Sequence, residues 1–214
     1  MKSMTEKSST ITTKGTLPDN YHEVLSWKVT GKPMRVIVLN IIGILLFVIY
    51  GMIFSRLAFS VGKMPSEGSF NIGLSQIGLT FVGVVLTFVL HELTHGLTMQ
   101  VFGAKPKYGI MWQGFLYATS PGHAYRRNNF VIIALAPFIF LSILVVLGMW
   151  LLQGTLWVVL LGLCGAVNAS GAIGDMWITM VVLRYPATAY VMDERDGMRV
   201  FSLAPPARAG VPKL

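Results

Sequence analysis

His91-Glu92-Leu93-Thr94-His95-Gly96 places two histidines four residues apart, with a glutamate directly after the first, inside one of the most apolar stretches of the chain. On a helix, positions i and i+4 project from one face a turn apart, so both imidazoles can reach a single metal ion. Zinc takes histidine nitrogen at about 2.0–2.1 Å, and in this spacing the glutamate acts as general base toward the water that the metal activates. The residue types point to zinc-dependent hydrolysis, with His91 and His95 as metal ligands and Glu92 as catalytic base.

A catalytic zinc usually has three protein ligands, which calls for one more. Of the nine acidic residues, only Glu92 and Asp175 fall inside long apolar runs. A carboxylate in hydrocarbon costs several kcal/mol unless it is paired or ligated, so Asp175 is the expected third ligand. The competing reading is an ion pair, or a protonated acid capped by Asn168 or Ser170, because transporters also place lone acids in membranes. Asn168 precedes Asp175 by seven residues and shares nearly the same helical face. It is expected to face the cleft as a second catalytic group, orienting an extended substrate or donating to a developing oxyanion. Gly165, Ala169, Gly171 and Ala172 leave room for a neighbouring helix to bring the carboxylate toward the histidines.

The elements that must position these residues are four apolar runs: Val36 to Phe54, Ile72 to Phe102, Phe130 to Leu152 and Thr155 to Leu183. Each is long enough to cross a bilayer. The chain of 214 residues is 54% hydrophobic and 12% charged, with a mean hydropathy of +0.65. About 25% charged residues is usual in a soluble domain, so the composition predicts an all-α membrane protein of four transmembrane helices. Pro137 is expected chiefly to kink the third. Lys105, Lys107, Arg126 and Arg127 bracket a segment, residues 104–129, rich in glycine and aromatic residues, which reads as a hairpin between helices two and three. Its aromatic side chains are most simply an interfacial belt.

A net charge of +8 does not signal nucleic acid, because the basic residues surround the apolar runs and do not cluster on one polar face. They favour the side shared by both termini, which positive-inside bias makes cytoplasmic, with the bilayer, in the expected setting the bacterial cytoplasmic membrane, as the first partner. The single cysteine, Cys164, rules out an intrachain disulfide. The expected organisation is a cytoplasmic tail and interfacial segment over residues 1–34, a four-helix membrane domain over 35–184, and a cytoplasmic C-terminal segment over 185–214.

The motif on the second helix, with Leu135-Ala136-Pro137 on the third and Asn168 with Asp175 on the fourth, resembles the site-2-protease-like intramembrane zinc metalloproteases. The run Gly171-x-x-Gly174-Asp175, then Arg184-Tyr185-Pro186 and Asp193-x-x-x-Gly197, is more closely similar to small bacterial zincin peptidases. The likeness covers roughly Phe81 to Val200. It departs from the site-2 pattern in that Met176 follows Asp175 where glycine is usual, and Ala169 follows Asn168 where proline is usual. The resemblance implies a zinc endopeptidase acting on membrane protein or peptide substrates, a core of helices two to four with helix one added, and a hairpin at 104–129 that re-enters the membrane. A substrate strand could then add to its edge. The alternative function is a non-proteolytic membrane scaffold or regulator that keeps the metal site, and a small ion transporter is a third.

Overall fold

A computed structural model describes residues 15–29, 32–64, 73–110 and 116–203. Expectations for the N-terminal tail through residue 14, for 65–72, for the centre of the 104–129 segment (111–115) and for 204–214 lie outside the described residues. The chain runs β1 (His22–Lys28), α1 (Pro33–Ser60), α2 (Leu74–Val101), β2 (Lys107–Ile110), β3 (Leu116–Thr119), β4 (Ala124–Arg126), α3 (Arg127–Leu151), α4 (Trp157–Gly171), α5 (Ile173–Val182), β5 (Tyr190–Glu194) and β6 (Gly197–Ser202). α1, α2, α3 and the combined α4–α5 stretch are each long and apolar enough to cross a membrane. α1 opens on Pro33, whose absent N–H costs nothing in a first turn. Of its residues only Phe54 and Ala58 are buried; Ile37, Ile41, Ile44, Leu45 and Val48 stand exposed. A helix apolar all round and bare to this extent is compatible with lipid surroundings.

The fourth crossing, Trp157–Val182, is divided at a single residue while i→i−4 bonds run across the division. α4 ends and α5 begins at Ala172, whose N–H bonds the Asn168 carbonyl at 3.1 Å while its own carbonyl accepts the Met176 N–H at 2.9 Å. The small residues of α4 receive α1 more than the helix that carries the histidines: a side chain at Gly165 would run into the Phe54 ring. Phe54 and Ala58 of α1 share a core with Val145 and Met149 of α3 and with Val158, Ala166 and Ala169 of α4. α2 approaches α4 at Gly83, against Leu160 and Cys164.

A sheet corrects the all-α expectation. Four antiparallel strands lie in the order β1-β6-β5-β4, with Trp27 opposite Met198, Val191 opposite Val200 and Tyr125 opposite Val191. They come from the segment read as interfacial, from the end of the 104–129 segment and from the stretch after helix four. In β6 alternation is obscured because five of its six residues are buried, leaving no polar face for a period of two to reveal. The sheet is bedded on the ends of three helices: Trp27, Tyr125, Val191, Met198 and Val200 pack with Met99 of α2, Phe130 and Ile133 of α3 and Val182 of α5. Burying each large side chain of this kind stabilises by about 1.5–3 kcal/mol, so the sheet braces the helix ends that carry the site. Across the strands Glu194 of β5 pairs with Lys28 of β1 at 2.9 Å and with Arg199 of β6 at 2.5 Å. β2 and β3 form a separate two-stranded hairpin, as the glycine and aromatic content predicts.

Candidate metal centre

α2 delivers His91, Glu92 and His95 to the interior. Both histidines are buried, their ring centroids 5.0 Å apart. The break at Ala172 puts Asp175 in the first turn of α5, where its Oδ2 lies 3.1 Å from His91 Nε2 and 3.4 Å from His95 Nε2. Four donors around a zinc at about 2.0–2.1 Å stand roughly 3.3–3.5 Å from one another, the edge of a tetrahedron. The two Asp175 distances are close to that edge, so the donor set fits zinc in both chemistry and spacing. Ligand atoms of His91, Glu92 and His95 also lie within 4.8 Å of one another. Two sets of three donors are thus geometrically available, sharing the histidines and differing in the carboxylate.

The other nitrogens of the rings are both engaged. His91 Nδ1 is 2.9 Å from Asn168 Oδ1, and His95 Nδ1 is 2.9 Å from the backbone carbonyl of Ile133. A carbonyl oxygen can only accept, so each ring carries its proton on Nδ1. That leaves Nε2 of both rings turned toward Asp175. Hydrogen bonds of this kind set tautomer and ring orientation in metal-ligating histidines.

Asn168 is 2% exposed and engaged at both amide atoms: besides accepting from His91, its Nδ2 donates to the Pro137 carbonyl at 3.2 Å. It does share the interior with Asp175, as its spacing predicts, but its amide is directed to a histidine and a helix carbonyl. Glu92 Oε2 accepts the backbone N–H of Ala118, in β3, at 2.7 Å. The hairpin therefore lies directly over the helix that carries the motif. Gly96 allows this, since any side chain there would collide with the phenol of Tyr108 on β2. The glycine closing the motif is explained by that close approach.

These groups open into a cavity of about 1570 Å³, lined also by Asn40, Gly43 and Phe47 of α1 and by Val85 and Phe88 of α2. Glu194 and Arg195 reach its rim from the β5–β6 turn, and the Arg195 guanidinium lies over the Tyr117 ring at 5.8 Å. Asp193 on β5 lines the same cavity and was not among the expected site residues. Its only sequence signal is its place in Asp193-x-x-x-Gly197. Burial pushes its carboxyl from 3.8 up to about 7, with the Thr119 hydroxyl, His95 and the Ser120 backbone N–H pulling less strongly the other way. An acid whose folded pKa is raised binds more protons folded than unfolded, so its contribution to stability falls as pH climbs from about 4 through 7. Asp193→Asn should remove that slope: relative to wild type, the variant's melting temperature should rise between pH 5 and pH 8. Parallel melting curves at the two pH values would reject the assignment.

A mostly helical chain with four membrane-length helices, carrying a buried His-Glu-x-x-His cluster able to hold a metal, is the class that fold and site define. The chain belongs to the family described as "Putative zincin peptidase", whose model matches residues 84–190. A curated protein of Pyrococcus woesei, described as an uncharacterized 24.7 kDa protein in the gap 5' region, is 29% identical over 122 residues, covering 54% of this chain and 51% of that protein. The chain thus spans about half the length of that relative. No solved structure matches.

Proposed function

We propose that this chain is an intramembrane zinc endopeptidase, similar in arrangement to the site-2 proteases, hydrolysing peptide bonds of membrane-embedded or membrane-proximal protein or peptide substrates. The observation that carries the reading is the convergence of three donors from two membrane-length stretches: His91 and His95 Nε2, each freed by a hydrogen bond at Nδ1, facing one oxygen of Asp175. His91, His95 and Asp175 would hold the zinc. When bound, the ion supplies a Lewis acid that polarises the peptide carbonyl and makes water nucleophilic near neutral pH.

Everything else is done by the chain. Glu92 takes the proton of the attacking water on the carboxylate oxygen not used by Ala118 and passes it to the leaving amine. Asn168 orients His91 and so acts as a positioning group, in place of the substrate or oxyanion contact that its spacing suggests. The β2–β3 hairpin re-enters the bilayer to the depth of Glu92, a placement supported by the Ala118 bond to that side chain. The chain sits in the bacterial cytoplasmic membrane with both termini cytoplasmic, so the sheet at the helix ends covers the cytoplasmic mouth of the site.

Purified wild-type protein in detergent or proteoliposomes should carry one zinc per chain. It should also cleave a panel of single-span membrane peptides in a way that a chelator stops and added zinc restores. A preparation that takes up no zinc on reconstitution, or zinc-loaded protein inert across the panel, would overturn the reading; the second result would instead favour a scaffold that keeps a metal.

A further inference from the structure

Pro137 lies in the interior of α3. In a regular helix the N–H of residue 137 bonds the carbonyl of residue 133. Proline has no N–H, so the Ile133 carbonyl is left without its helical donor. That carbonyl is the one His95 Nδ1 bonds at 2.9 Å, in a buried setting where an unpaired carbonyl would be costly. One turn on, the carbonyl of Pro137 itself accepts Asn168 Nδ2, and the Oδ1 of that side chain receives the His91 ring. The same turn of α3 therefore fixes both imidazoles, directly for His95 and through Asn168 for His91.

We infer that Pro137 is a positioning residue of the metal centre: by lacking an N–H it leaves the Ile133 carbonyl to His95, which holds that ring with Nε2 toward the metal. The inference rests on His95 being a ligand, as proposed above. It goes beyond the expected kink, which any disruption of the helix would supply. A kink and a free acceptor would both follow from a missing N–H, and here the acceptor has a defined user.

The test is Pro137→Ala, which restores an N–H aimed at Ile133 and removes an unfavourable residue from a helix interior. Loss of an orienting partner typically weakens metal binding 10- to 100-fold. A carbonyl has two lone pairs and can keep part of its bond to His95, so the low end is expected, about 10-fold weaker zinc binding by competition with a chelator. The melting temperature of the metal-free variant should stay level or rise. A separate readout is ¹⁵N-histidine spectroscopy of metal-free protein, in which the His95 Nδ1–H should be protected from exchange in the wild type and lose that protection in the variant.

Zinc affinity within twofold of wild type overturns the inference. So does weakened zinc binding that tracks a fall in melting temperature, which would assign Pro137 to folding alone. If the wild type itself binds no zinc, the proposed function fails, and the exchange measurement still decides whether Pro137 leaves the Ile133 carbonyl to His95.

Discussion

Glu92→Gln should retain zinc at wild-type affinity while peptide hydrolysis falls by about 10²- to 10⁴-fold, the range a positioned general base contributes. The substitution is close to isosteric, and the amide oxygen of glutamine can still accept the Ala118 N–H that glutamate accepts at 2.7 Å. The hairpin therefore keeps its seat on α2. What is lost is the ability to take a proton from water and return it to the leaving amine. The same variant separates the two possible donor sets. If Glu92 completed the metal site with His91 and His95, whose ligand atoms lie within 4.8 Å of its own, an amide in its place would weaken zinc binding sharply. Zinc content by elemental analysis beside turnover of a membrane peptide reads both. Turnover above a tenth of wild type would remove Glu92 as the base, and zinc lost together with turnover would make it a ligand.

The parts of the site that were legible in the sequence are those encoded locally or by scarcity. His91, Glu92 and His95 are readable because the geometry of i and i+4 belongs to the helix itself. Asp175 is readable because an acid in an apolar run is costly and therefore rare. The use of Asn168 was not readable: seven-residue spacing sets a face, whereas the choice of His91 and the Pro137 carbonyl as partners depends on how α3 and α4 pack. The link from Pro137 to His95 is tertiary in the same way, since the missing N–H is visible at residue 137 but nothing nearby names the group that takes its place. The hairpin of β2 and β3 announced itself through glycines and aromatic residues. The four-stranded sheet did not, because its strands are short, come from three separate stretches of the chain and centre on β6, which is buried on both faces, so composition read them as flanks. Asp193 was hidden for that reason: in a charged C-terminal segment it reads as an ordinary surface acid, and only the sheet gives it a place in the cavity.

Asp175→Ala should lose zinc outright, and Asp175→Asn should lose most of it, while His91 and His95 remain in place. The argument rests on what else holds the carboxylate. Its Oδ2 stands 3.1 and 3.4 Å from the two Nε2 atoms, and both rings already carry protons on Nδ1 for Asn168 and Ile133. In a purely structural ion pair at least one imidazole would have to be protonated on Nε2 as well, placing a buried cation beside the carboxylate in a membrane-length bundle. Were His91, His95 and Asp175 to hold zinc, no ring would need that extra proton, and both Nε2 atoms would serve as neutral donors. The two cases diverge on mutation. Removing a ligand takes the metal, with little effect on metal-free stability because the rings keep their Nδ1 partners. Removing half of a buried ion pair leaves uncompensated charge and typically destabilises by 3–5 kcal/mol. Zinc stoichiometry of Asp175→Ala, read beside its metal-free denaturation curve, separates them: a full zinc equivalent retained with collapsed stability would make Asp175 a structural partner of the histidines and take it out of the ligand set.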